Sequence, residues 1–152
     1  MHKMRTKKTI MTIILTLTLS TVFAQIDCKK CDIEKVKVVS ENMDNLNIHI
    51  VEEFLCTFDN SCNTNIEYSQ WSNEILYQLF DNDPELIFKV FEQGQVDNAQ
   101  ILLNELEHPI QDFDYQKIYN EIEETKTNSD FKDKVLKSIE LAAYKKGLKI
   151  KD

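Results

Sequence analysis

Apolar residues along this chain recur every three or four positions, the spacing of one face of an α-helix. Val36, Val39, Met43, Leu46, Ile50 and Phe54 form the first stripe and predict one long helix ending near Cys56. Val36-Lys37-Val38 alternates as a short strand would, but the helical stripe carries through it. Tyr68, Trp71, Ile75 and Leu79 share a face of a second helix. Its opening residues, Thr64-Asn65-Ile66-Glu67, have the Thr-x-x-Glu form of a capping box. Leu86, Ile87, Val90 and Phe91 belong to a short third helix over 84–93, and Ala99, Leu102, Leu103 and Leu106 to a fourth that starts at Asp97 and Gln100. Tyr115, Ile118, Tyr119 and Ile122 follow an Asp114 cap, and Phe131, Val135, Ile139, Ala142 and Ala143 follow Ser129 in the last helix.

Glycine and proline punctuate this pattern. Gly94 follows Phe91-Glu92-Gln93 and Gly147 follows Tyr144-Lys145-Lys146, both suited to the left-handed residue just past a helix end. Asp83-Pro84 reads as an N-cap followed by proline at the first helical position, and Pro109 stops one helix before the next begins. About six helices with short loops and no segment of strand period predict an all-α fold. Short loops favour antiparallel neighbours, so successive helices are expected as hairpins, in a compact bundle or a short HEAT-like right-handed stack. Asp83-Pro84 and His108-Pro109 have surroundings that do not align, so no sequence repeat supports the stack.

Ahead of the helices lies a different kind of segment. Lys3, Arg5, Lys7 and Lys8 precede an apolar run over 10–23 that ends in Val22-Phe23-Ala24, and no acidic residue occurs before Asp27. This is the form of a cleavable signal peptide, with the cut expected after Ala24. The run is short for a bilayer span of about 20 residues, so no stable membrane anchor is expected after cleavage. The expected division is a leader over 1–24, a short cysteine-containing segment over 25–33 and a single all-α domain over 34–152. The expected location is secreted or periplasmic.

Loss of the leader sharpens the charge. Four of the 18 basic residues lie in it, against none of the 26 acidic ones, which leaves a net charge of −12. Such a chain is ill suited to nucleic acid, whose phosphates require Lys and Arg, or to anionic lipid. A basic protein partner is favoured instead by electrostatic steering. Lys145, Lys146, Lys149 and Lys151 are read as compensation of a helix C-terminal dipole.

Four cysteines follow the leader: Cys28, Cys31, Cys56 and Cys62. Export permits disulfides, and three pairings are possible. The favoured one joins Cys56 to Cys62 across the intervening loop, with Cys28 and Cys31 paired by default. Bonds from the first pair to the second would anchor the N-terminus better. Cys28-Lys-Lys-Cys31 also has the spacing of a thiol redox pair, but no strand precedes it. A four-cysteine zinc site fits one half only, since five residues separate Cys56 from Cys62.

Other chemistry is thinly represented. Both glycines are used as caps, which leaves none for a nucleophile elbow or a phosphate loop. His49, Glu52 and Glu53 share one helix face and form a weak candidate metal or proton-sharing site. His108 stands at a helix end, where an imidazolium favours the dipole, and a site combining it with His49 and Asp112 or Asp114 is demanded by no spacing. Asp81-Asn82-Asp83 lacks the remainder of a calcium loop, and Glu121, Glu123 and Glu124 read as a solvated face. Tyr77, Phe80 and Phe88 fall at the edges of the apolar stripes and are the candidate interface. The resulting expectation is an exported acidic helical module that binds another protein, as an inhibitor, an immunity-like protein or an envelope adaptor, without cofactor. The alternatives are a small metal-binding protein or enzyme using His49, Glu52 and Glu53, or a thiol redox protein using Cys28 and Cys31.

Overall fold

The structure, a computed structural model, describes residues 28–94 and 96–151. The proposed leader over 1–24, its cut after Ala24 and the segment up to Asp27 lie outside the described residues. Seven α-helices are found among the described residues: α1 (Ile33–Glu41), α2 (Ile48–Leu55), α3 (Ile66–Asn82), α4 (Pro84–Glu92), α5 (Ala99–Leu106), α6 (Tyr115–Glu124) and α7 (Phe131–Lys145). Two short 3-10 turns, Met43–Asn45 and Asn60–Thr64, link α1 to α2 and α2 to α3. No helix among the described residues is long and apolar enough to cross a membrane.

The single long helix expected up to Cys56 is two helices. The Asn42 side chain donates to the Val38 carbonyl, Leu46 takes an extended conformation, and the Asn47 carboxamide accepts from the backbone of His49 and Ile50. Asparagine side chains compete with helical backbone bonds, and three asparagines within six residues end one helix and cap the next. The break turns the chain so that α1 and α2 pack against each other.

The remaining helix starts follow local chemistry. Asp83 accepts from Leu86 N at 3.1 Å with Pro84 at the first helical position, and Asp114 accepts from Lys117 N at 3.0 Å. Ser129 Oγ accepts from Phe131 N at 3.2 Å. The Thr64–Glu67 capping box does not form; Asn65 is the cap, accepting from Tyr68 N at 3.2 Å, and Thr64 belongs to the preceding 3-10 turn. Gly94 and Gly147 have φ of 67° and 76°, as expected past a helix end.

The longest helix, α3, is the axis of the bundle. It contacts α1, α4, α5, α6 and the Asn60–Thr64 turn, while α2 packs on α4 and α5 on α7. Contacts between helices distant in sequence, on several sides of one central helix, make this a compact bundle rather than a row of stacked hairpins. One apolar core runs through it, with Phe54, Leu55, Tyr68, Ile75, Leu76, Tyr77, Leu79 and Phe80 almost fully buried.

Candidate interaction surface

Tyr77, Phe80 and Phe88, the aromatic interface expected from the stripe edges, are core residues. Their exposures are 0%, 1% and 1%. Tyr77 stacks on Phe113 with ring centroids 4.1 Å apart and donates its hydroxyl to the Leu106 carbonyl. Phe80 meets Phe88, which in turn meets Phe131 edge-on. Tyr77 and Phe80 lie on the central helix, which is covered from several sides and so buries a wider arc than a surface stripe. Phe88 lies on α4, which is itself packed against α2, α3, α6 and α7.

His49, Glu52 and Glu53 do come together on α2. His49 Nε2 lies 3.4 Å from Glu53 Oε1, and Nδ1 lies 3.9 Å from Glu52 Oε2. Lys35 of α1 completes the group with a 2.8 Å bridge to Glu53. Glu52 is almost buried and its Oε1 has no hydrogen-bond partner. Desolvation pushes the Glu52 carboxyl above the ordinary carboxylate range; the imidazole partly opposes this and the Glu53 charge adds to it. Among the described residues no group of three or more His, Cys, Asp or Glu side chains is arranged to hold a metal ion. His108 is turned elsewhere, just past the end of α5, with Nδ1 2.8 Å from the Asn104 carbonyl of that helix and Nε2 3.2 Å from Lys145 Nζ. Asp81 bridges to Lys117, and Asp83 is consumed as a cap.

The cysteine pairing differs from the expected one. Cys31 is bonded to Cys62, with Cα atoms 5.4 Å apart, and Cys28 and Cys56 are free thiols. The backbone explains why Cys56 and Cys62 do not pair. Cys31 N donates to the Thr57 carbonyl at 2.9 Å, which lays the N-terminal strap across the end of α2. A left-handed Cys31, with φ 56°, stands at that contact. Thr57, between the two later cysteines, is itself buried and bonded to Tyr68 Oη at 2.6 Å.

An exposed apolar surface lies instead at the end of α7, apart from single exposed residues such as Ile66 and Ile110. The helix closes with a Schellman motif: Leu148 N donates to the Ala143 carbonyl at 2.9 Å while Gly147 holds the left-handed position. A Cβ on Gly147 would meet nothing within 4 Å, so the positive φ alone calls for glycine there. Beyond it the tail doubles back onto α6. Gln116 clasps the backbone of Lys151 with two bonds, accepting from its N–H at 2.8 Å and donating to its carbonyl at 3.1 Å. Tyr144, Leu148, Lys149 and Ile150 therefore line a shallow groove with Glu140, and the far side of the tail forms a second groove against Phe113 and Tyr115. Tyr144 is 77% exposed and Leu148 53%.

Charge at this end is the reverse of the whole. Residues 131–152 carry seven lysines and three acids in a chain that is otherwise strongly acidic. Lys146 bridges to Asp112 at 2.9 Å and Lys145 donates to the Glu107 carbonyl, so these two lysines tie α7 to the loop after α5. The sequence signal for this surface was Leu148-Lys149-Ile150-Lys151, an alternation whose apolar members belong to no helical stripe. Compared with protein-family models, curated proteins and solved structures, the chain matches none of them.

Proposed function

We propose that this protein is an exported, acidic helical module that works by binding another protein at the end of α7 and its tail. The observation that carries the reading is the pair Tyr144 and Leu148, two large apolar side chains exposed in one groove on a backbone anchored by Gln116. Aromatic anchors on a preordered backbone are the usual source of binding energy at protein interfaces, because little conformational entropy remains to be lost. Lys149 in the groove and Lys151 beside it select a partner segment that combines apolar side chains with acidic ones. The local charge sets this preference in place of the basic partner favoured by net charge. The acidic remainder of the surface then disfavours other approach directions for such a partner.

Affinity capture tests the reading, with the tag inserted after Ala24 so that the tail stays free, against the producer's envelope and medium. The expected result is retention of one protein, weakened at high salt and lost from the Tyr144→Ser/Leu148→Ser double variant. Equal retention by the double variant overturns the assignment of the surface. Binding of both forms only to vesicles of anionic lipid overturns the protein-partner reading itself.

A further inference from the structure

Cys28 and Cys56 are both free thiols, yet they are not independent. The Cys28 thiol donates to the Cys56 carbonyl at 2.9 Å, which sets it beside the residue whose thiol it would join. Lys30 holds them in register: its ammonium lies 2.7 Å from the Cys56 carbonyl and 3.5 Å from Cys28 Sγ. Three residues on, Cys31 is locked to Cys62 and to the Thr57 carbonyl. Cys28 is thus tethered at short range to a point already fixed beside Cys56, so little chain entropy opposes closing the remaining gap.

We infer that Cys28 and Cys56 form a second disulfide beside Cys31–Cys62, a site of thiol–disulfide exchange whose accessible sulfur is Cys28. The chemistry balances with a dialkyl disulfide, such as oxidised glutathione, as oxidant. The Cys28 thiolate attacks one sulfur of that disulfide and expels a thiolate, which takes up the proton Cys28 lost. The Cys56 sulfur then attacks Cys28 in the mixed disulfide, expels the second thiol and loses its own proton. Two electrons pass to the oxidant, which leaves as two thiols, and one protein S–S bond has formed.

Accessibility assigns the two sulfurs different parts. Cys28 is exposed, whereas Cys56 is 4% exposed, with a thiol that burial pushes well above its ordinary range. An external thiol or disulfide therefore reaches Cys28, and Cys56 reacts only with what Cys28 carries. Cys62 is buried and Cys31 half-buried, so the first disulfide is shielded where the second is open. Reduction is then ordered: Cys28–Cys56 opens while Cys31–Cys62 keeps the strap on the end of α2. Two cysteines already bonded to each other also leave only two thiols, which removes the four-cysteine zinc site.

The full chain is equilibrated in a mixed oxidised and reduced glutathione buffer, blocked with iodoacetamide under denaturing conditions, and digested without reduction. Trypsin cuts at Lys29 and Lys30, between Cys28 and Cys31, and a protease cutting before Asp59 separates Cys56 from Cys62, so every pairing gives distinct peptides. The expected result is a Cys28 peptide linked to a Cys56 peptide, the loss of both alkylatable thiols, and release of this pair before Cys31–Cys62 on graded addition of dithiothreitol. Alkylation of both Cys28 and Cys56 while Cys31–Cys62 remains linked overturns the inference, as does a link from Cys28 to Cys31 or Cys62. Cys28→Ser changes an exposed residue and keeps the fold. It should leave Cys56 as a single thiol that alkylates only on unfolding; pairing of Cys56 with Cys62 in this variant would overturn the assignment.

Discussion

The carboxamide nitrogen of Asn98 lies 2.8 Å from the carbonyl oxygen of Leu55, 43 residues earlier, and it also donates to the Phe58 carbonyl at 2.9 Å. The last carbonyls of a helix lack intrahelical partners, and here a residue just before α5 supplies one for the end of α2. Asn98 is itself buried, so no water is at hand to replace it. Asn98→Asp retains the size and loses the donor. It is expected to destabilise by about 2–4 kcal/mol, because two buried carbonyls are left facing a carboxylate. Urea unfolding followed by circular dichroism measures the loss, and a change under about 0.5 kcal/mol would show that the bonds are not needed.

Tyr77 separates packing from hydrogen bonding. Tyr77→Phe keeps the stack on Phe113 and removes the bond to the Leu106 carbonyl, at a cost of about 1–2 kcal/mol. Tyr77→Ala also empties a fully buried ring site and should cost about 3–5 kcal/mol. Trp71 is only half-buried and packs on the core from one side, so Trp71→Ala should fall below that range. Equal losses for Trp71→Ala and Tyr77→Ala in denaturant titrations would contradict this ordering.

Glu52 carries a pH signature. Burial holds its carboxyl above the ordinary carboxylate value of 4.5, so the folded state binds its proton more tightly than the unfolded state does. Stability from this group is full below pH 4.5 and declines as pH rises through the elevated folded value. Glu52→Gln should therefore raise the unfolding midpoint at pH 7, and the gain should vanish below the carboxylate range. A gain that persists unchanged in acid would mean that charge is not its cause. His49→Ala, at a ring 54% exposed, should shift stability by no more than about 0.5 kcal/mol.

The Cys31–Cys62 bond closes a stretch of 31 residues. The chain-entropy model gives about 3–4 kcal/mol for a loop of this length. Replacing both cysteines by alanine should lower stability by about that amount and leave the wild type and the variant equally stable once dithiothreitol has reduced every disulfide. A variant as stable as the oxidised protein would place the stabilisation elsewhere.

The tail surface should behave as function rather than fold. Tyr144→Ser and Leu148→Ser each remove a side chain that is mostly solvated, so stability should change by less than about 0.5 kcal/mol. Gln116→Ala releases the Lys151 backbone and should weaken partner binding while both apolar side chains remain. Isothermal titration with the captured partner distinguishes the effects, since binding unaffected by Gln116→Ala would show that tail order is irrelevant.

Helical class, and most helix starts and stops, were determined by the sequence alone, because they rest on interactions spanning only a few residues. Asp83 and Asp114 reach a backbone N–H three positions on, Gly94 and Gly147 supply left-handed conformations, and the stripe from Phe131 to Ala143 needs only helical spacing. The same locality explains the failures. The stripe through Met43 and Leu46 has helical spacing, but the caps of Asn42 and Asn47 break it, and a stripe alone carries no information about caps. Cys31–Cys62, Asn98 against Leu55 and the burial of Phe88 depend on which helices meet, and tertiary structure alone decides that. The candidate surface follows the same rule. Leu148 and Ile150 were legible as apolar residues, but the exposure of Leu148 and the half-buried seat of Ile150 depend on Gln116 holding the tail across α6, a contact that links positions 35 residues apart.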